Sequence, residues 1–169
     1  EILKELIPNL SCVGVLAATP ATDPIGVPYV NDIEAAAKLI GLKIVAPLVN
    51  GPPEFEGAIQ KMADERAQAV IVQGLFEPQR QRIIELAQSR RIGVMGANRA
   101  TPASGGLLSF SADFISLYEK SAEYVDKILK GAKPTDLAVK QPVKFELVIS
   151  AKTANSLGIT IPPLILAQA

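Results

Sequence analysis

The sequence predicts an α/β fold: a doubly wound parallel sheet followed by a C-terminal crossing segment. Three observations carry that expectation. Short apolar runs rich in Val and Ile recur between residues 12 and 95 without polar alternation, as strands covered on both faces do. Between them lie stretches of about a dozen residues whose apolar positions step by three and four, the period of a helix with one buried face. At 169 residues and 49% hydrophobic content the chain can bury one sizeable core, and usual domain sizes of ~100 to 150 residues point to one domain plus an appendage. Strands alternating with helices pair in parallel through crossovers, so the sheet is open and doubly wound.

The chain opens on EILKEL, an amphipathic helix start over residues 2–6. The first strand covers residues 12–16, and Cys12, with Val13 and Val15 beside it, reads as a buried strand thiol. A loop, AATPATDPIG at 17–26, leads into a helix with Val30, Ile33, Ala37 and Ile40 on one face, ended by Gly41 as the left-handed residue. The second strand spans 43–48. Pro53 opens the next helix, striped by Phe55, Ala58, Ile59, Met62 and Ala63. The third strand, 69–72, runs into QGLFEP at 73–78. Ile83, Ile84, Leu86 and Ala87 then form a third stripe, with Arg80, Arg82 and Arg90 on the wet side, and the fourth strand follows at 92–95.

After Asn98 the period changes. Residues 99–106 contain Pro102, Ser104 and two glycines, the composition of a crossing connection. A long helix over 113–130 carries Phe114, Leu117, Tyr118, Val125, Ile128 and Leu129 on one face. Residues 133–169 hold Pro134, Pro142, Pro162 and Pro163 with one strand, 145–149, and read as an appendage that needs a surface to lie on. The chain divides accordingly into a lobe, 1–106, and a crossing segment, 107–169.

Composition removes several function classes. Seventeen basic and seventeen acidic residues cancel, which leaves no net field to hold a phosphate backbone, so nucleic acid is not an expected partner. With no histidine and one cysteine, the common zinc sites and the Ser-His-Asp and Cys-His nucleophile systems cannot be assembled within the chain. Neither GxGxxG nor GxxxxGK[ST] occurs, and the first acidic residue after the first strand is Asp23, too far on for a receiver-type acidic pair. No cofactor, metal or catalytic group is expected, and the chain is not read as an enzyme. No apolar run approaches the roughly 18 residues that span a bilayer, the opening helix has no signal-peptide core, and the first residue is not Met, which together suggest a fragment or processed product.

In a doubly wound sheet ligands lodge beyond the carboxyl ends of the strands. That rule selects Thr19, Gln73, Phe76, Asn98, Arg99 and Ser109 as residues expected to face a common cleft, with Asp113 beside them. Each has an ordinary reading as well. Thr22 and Asp23 in the first loop suit turns and caps as much as a polar ligand. Gln73 can hydrogen-bond a planar ligand stacked on Phe76, or Phe76 can pack in the core. Arg99 suits a carboxylate through paired hydrogen bonds, or stands in solvent. Asp113 is first an N-cap candidate and second an acceptor for an ammonium. Glu34, Glu54, Glu56 and Asp64 lie on wet helix faces and form no acid–base pair.

Two runs are the most specific on the chain: YVDKILKGAKP at 124–134 and KFELVISAKTA at 144–154, preceded by GGLLSFSAD at 105–113 and followed by the Pro162-Pro163 ending. They resemble the C-terminal part of the periplasmic substrate-binding proteins of ABC transporters, in particular the tryptophan- and tyrosine-uptake type, and the resemblance extends over nearly the whole chain. It implies two α/β lobes joined by crossing strands, closing on a small molecule and delivering it to a membrane permease. It also implies a periplasmic or extracellular location, directed by a signal peptide or lipid anchor. The implied ligand is an amino acid, aromatic in the best-known members. Arg99 or the hydroxyls would then take its carboxylate, Asp113 its ammonium and Phe76 its side chain. The chain departs from the pattern in lacking the signal peptide and first lobe before Glu1, and in showing Phe110 where Tyr is more common.

The same lobe also serves as the effector-binding half of transcription regulators, which is the alternative function. The apolar stripe of the 113–130 helix, with Leu117, Tyr118, Val125 and Ile128, is expected to be covered by a partner chain or a homo-oligomer.

Overall fold

The computed structural model describes residues 1–139 and 141–168. Helix α1 (Ile2–Leu6) precedes β1 (Cys12–Ala18), all seven residues of which are buried. Side chains alternate across a strand. Cys12, Leu16 and Ala18 accordingly enter one core while Val13, Val15 and Ala17 enter the apolar clusters on the other face. That double burial is why the run shows no polar alternation. Cys12 is 3% exposed, and burial pushes its thiol above the ordinary value.

Helix α2 (Gly26–Leu39) follows, with Gly41 at φ +69° beyond its end as expected. The single strand expected at 43–48 is two pieces, β2 (Lys43–Val45) and β3 (Leu48–Val49). The break falls at Pro47, which has no N–H to give to the ladder. β2 pairs with residues 12–14 of β1 and β3 with Ala17 and Ala18, so the interruption leaves both ends of β1 covered. Helix α3 (Phe55–Asp64) buries Phe55, Ala58, Ile59 and Met62. β4 (Ala69–Val72), α4 (Arg80–Gln88), β5 (Gly93–Gly96) and the short α5 (Ala100–Ala103) complete the regular alternation.

With β6 (Leu108–Ala112) and β7 (Phe145–Ile149), the described residues form one sheet of seven strands in the order β2-β1-β4-β5-β6-β7, with β3 also on β1. Every pairing among β1 to β6 is parallel. Phe55 and Ile59 of α3 and Ile83 and Ile84 of α4 fill one core against β1, β4 and β5, while α1 and the C-terminal helices close the opposite face.

Three elements in the crossing segment differ from expectation. Residues 108–112, where the sequence pattern predicts no strand, are strand β6 (Leu108–Ala112), parallel to β5. Residues 145–149 are β7 (Phe145–Ile149), antiparallel to β6, so the strand assigned to an appendage is the edge of the one sheet. A boundary at residue 106 therefore falls between two paired strands. Residues 151–157 form α7 (Ala151–Leu157), capped by the Ser150 hydroxyl and closed by Gly158 at φ +75°, and α8 (Pro163–Leu166) follows. Between β6 and β7 the chain leaves the sheet as α6 (Phe114–Leu129), in which no residue is buried. Phe114, Tyr118, Val125 and Ile128 are all exposed.

Candidate functional site

Strand order reverses at β1: the next strand lies on one side of it and β4 on the other. The crevice between the carboxyl ends of β1 and β4 is where such a sheet receives a ligand. Gln73, the residue after β4, fills it. Its N–H donates to the Leu16 carbonyl at 3.0 Å, its Oε1 accepts from the Ala18 N–H at 2.8 Å, and its Nε2 donates to Asp23 Oδ2 at 2.7 Å. The side chain is 4% exposed, so both ends of the amide are committed within the fold. Asp23 in turn accepts from the Ile25 N–H at 3.1 Å, which ties the first loop to the start of α2.

Thr19 stands beside this pair at the end of β1. Its N–H donates to the Val49 carbonyl at 3.0 Å and its hydroxyl to Asn50 Oδ1 at 2.7 Å. Asn50 then gives both its side-chain amide and its backbone N–H to Glu54, at 2.9 Å each, and these bonds hold the Glu54 carboxyl below its ordinary value. Thr19 and Gln73 are thus brought together, along with Asp23 and Asn50.

The remaining candidates go elsewhere. Phe76 is 4% exposed and meets Phe55 edge-on, ring centres 5.1 Å apart, inside the first core. Ser109 is 1% exposed within β6, aligned with Gly96 on one side and Val148 on the other. Asn98 Oδ1 accepts from the Ala100 N–H at 2.9 Å and shapes the turn after β5. Asp113 is the N-cap of α6, its Oδ1 accepting from the Ile115 and Ser116 N–H groups at 3.0 and 3.2 Å.

Arg99 reaches from the β5 turn to Glu146 on β7, with 2.7 Å between its guanidinium and Glu146 Oε1. Arg99, Asp113 and Glu146 line one cavity of about 620 Å³ at the β7 edge, with Phe145 and Leu166 among its apolar walls. Phe145 also stacks on Phe110, ring centres 5.5 Å apart. The sequence candidates therefore form two clusters: Thr19 and Gln73 at β1 and β4, and Arg99 and Asp113 at β6 and β7.

Glu77 and Glu146 were not singled out from the sequence. Glu77 is 9% exposed, and its Oε1 accepts from the Ala97 N–H at 2.8 Å and the Thr101 hydroxyl at 3.0 Å, clamping the β4 turn to the β5 turn. Its Oε2 has no partner among the described residues. Nothing local marks it, because the groups that bury it lie twenty residues further on. Among the described residues no group of three or more His, Cys, Asp or Glu could hold a metal ion, and no helix is long and apolar enough to cross a membrane.

The arrangement offers hydrogen-bonding groups and one accessible guanidinium over a rigid sheet edge, a binding surface. Comparison with known proteins bears on what it binds. The sequence profile described as ABC transporter substrate binding protein matches residues 1–169. No curated protein matches the chain. Among solved structures, the ABC domain from Streptococcus pneumoniae in complex with L-Trp is 26% identical with a TM-score of 0.87, covering 99% of this chain and 57% of that one. A conserved domain protein from Vibrio cholerae O1 biovar eltor gives the same identity and TM-score over 99% and 56%. The ligand-free, open structure of a substrate-binding protein with adhesive properties from Clostridium difficile is 20% identical with a TM-score of 0.75, over 96% and 55%, and shares the fold. The chain thus spans little more than half the length of the proteins it superposes on.

Proposed function

The chain belongs to the family of ABC transporter substrate-binding proteins. From that premise we propose that it forms one lobe and the crossing segment of a two-lobed solute-binding component of an ABC importer, which takes an amino acid, aromatic in character, into the cleft above the carboxyl edge of the sheet and hands it to the permease. The observation that carries this reading is the likeness over 99% of the chain to a structure in complex with L-Trp. The geometry supports it. α6 leaves the sheet with an apolar face and no buried residue, as expected of a segment that returns to another lobe. That covering would come from the other lobe; nothing in the comparisons supports a homo-oligomer. In this reading the protein works in the periplasm or outside the cell.

In this reading Arg99 or the hydroxyl of Thr19 takes the ligand carboxylate, and Asp113 or Asp23 its ammonium. Gln73 acts by fixing the first loop, and Phe76 by supporting the β4 turn from inside. Calorimetric titration of the full-length gene product with the twenty L-amino acids and with common sugars and polyols tests the proposal. An aromatic amino acid is expected to bind best. Binding restricted to sugars would change the ligand class, and absence of any solute binding would remove the transport reading.

A further inference from the structure

Arg99 is already partnered by a carboxylate where an incoming one is expected. Its guanidinium donates to Glu146 Oε1 at 2.7 Å, and no other hydrogen bond from its side chain occurs among the described residues. A guanidinium has five N–H donors in a planar fork that matches a carboxylate two bonds at a time. One bond to one oxygen leaves most of that capacity unused. The side chain is 68% exposed and lines the cavity it shares with Asp113 and Phe145, so a second acceptor has access.

Glu146 is placed to be given up. Its side chain is 37% exposed, so water can take over when Arg99 leaves. It stands on the edge strand β7, while Arg99 is held in the β5 turn by the Asn98–Ala100 and Glu77–Ala97 hydrogen bonds. Among the described residues this pair is the single side-chain hydrogen bond or ion pair between residues 107–149 and residues 1–106.

We propose that Glu146 is a built-in surrogate for the ligand's carboxylate: it occupies Arg99 in the empty protein, and a carboxylate-bearing ligand must displace it. Glu146 thereby sets affinity and selectivity. It keeps Arg99 from holding stray anions and admits a solute that offers two hydrogen bonds in place of one. Exchange also frees β7 from the β5 turn as the ligand enters. This rests on the solute-binding reading above and adds to it a residue that opposes binding.

The test is calorimetry on the full-length gene product, titrated with the twenty L-amino acids and with the carboxamide of the one that binds most tightly. Glu146→Gln should tighten the amino acid about two- to five-fold, since an exposed ion pair rarely contributes more than such a factor. It should leave the amide unchanged. Arg99→Gln should weaken the amino acid and cancel the gain when combined with Glu146→Gln. Weaker amino-acid binding in Glu146→Gln, or equal changes for acid and amide, would overturn the proposal while leaving the transport reading intact. If no amino acid binds the unmodified protein, the proposal falls together with the amino-acid ligand class. Arg99 is largely exposed and Glu146 partly so, and matching circular dichroism and melting curves confirm that the variants are folded.

Discussion

Replacing Gln73 by Ala tests whether that buried amide organises the mouth of the sheet. Two bonds disappear, from the Ala18 N–H to Oε1 and from Nε2 to Asp23. Ala18 is fully buried, so its N–H is left without an acceptor, which costs about 1–3 kcal/mol. Asp23 is half-buried and can turn to water, so its lost bond adds no more than about 1 kcal/mol. The expected loss is about 1–4 kcal/mol in urea denaturation, which for a chain of this size lowers Tm by about 2–16 °C. Gln73→Met fills most of the same volume without the hydrogen bonds, so it should cost nearly as much as Ala if polar satisfaction is the cause. Hydrogen exchange at the Ala18 amide should accelerate in both variants relative to the amides of β5. A loss below about 0.5 kcal/mol with Ala18 exchange unchanged would refute the reasoning, since that is the range of an ordinary surface substitution.

Three further outcomes are expected. A Cβ at residue 26 would meet the Ala18 carbonyl oxygen, a backbone atom that cannot swing aside, so Gly26→Ala should lose about 1–3 kcal/mol or more on denaturation; an unchanged midpoint would mean the α2 entry is loosely packed. Asp113→Ala removes the cap of α6 and should cost about 1 kcal/mol, read as lower helicity and faster exchange over residues 115–117; Asp113→Asn should recover most of it. Burial raises the Tyr29 phenol from 10.0 to about 12. A raised folded-state value means the fold prefers the protonated phenol, so that contribution is whole below pH 10 and is lost as pH rises through 12. Tyr29→Phe should therefore flatten the alkaline arm of the stability profile, measured by denaturation at stepped pH, and an identical slope would contradict the burial.

The period of apolar residues determined the fold class by itself. A run such as 12–18 or 69–72 has only one way to hide both faces, and the stripes of α3 and α4 leave one face for the core. Local chemistry also placed Gly41 at a helix end and Asp113 at a cap, because both depend on neighbours within four residues. The cap signals of α7, Ser150 and Gly158, are equally local.

What the tertiary structure alone decided is everything set by contacts between distant segments. Residues 108–112 carry two serines and look like a loop, yet they form an inner strand because β5 and β7 supply partners on both sides. The candidate residues were chosen by a rule about strand ends, which names positions but not directions. Gln73 points to β1, Phe76 turns into the core, and Arg99 crosses to Glu146, 47 residues away in sequence. Sequence spacing reports what a residue can do. Only the packing of separate segments decides which acceptor a guanidinium meets or which amide is sealed from water, since those energies depend on distances no local pattern encodes.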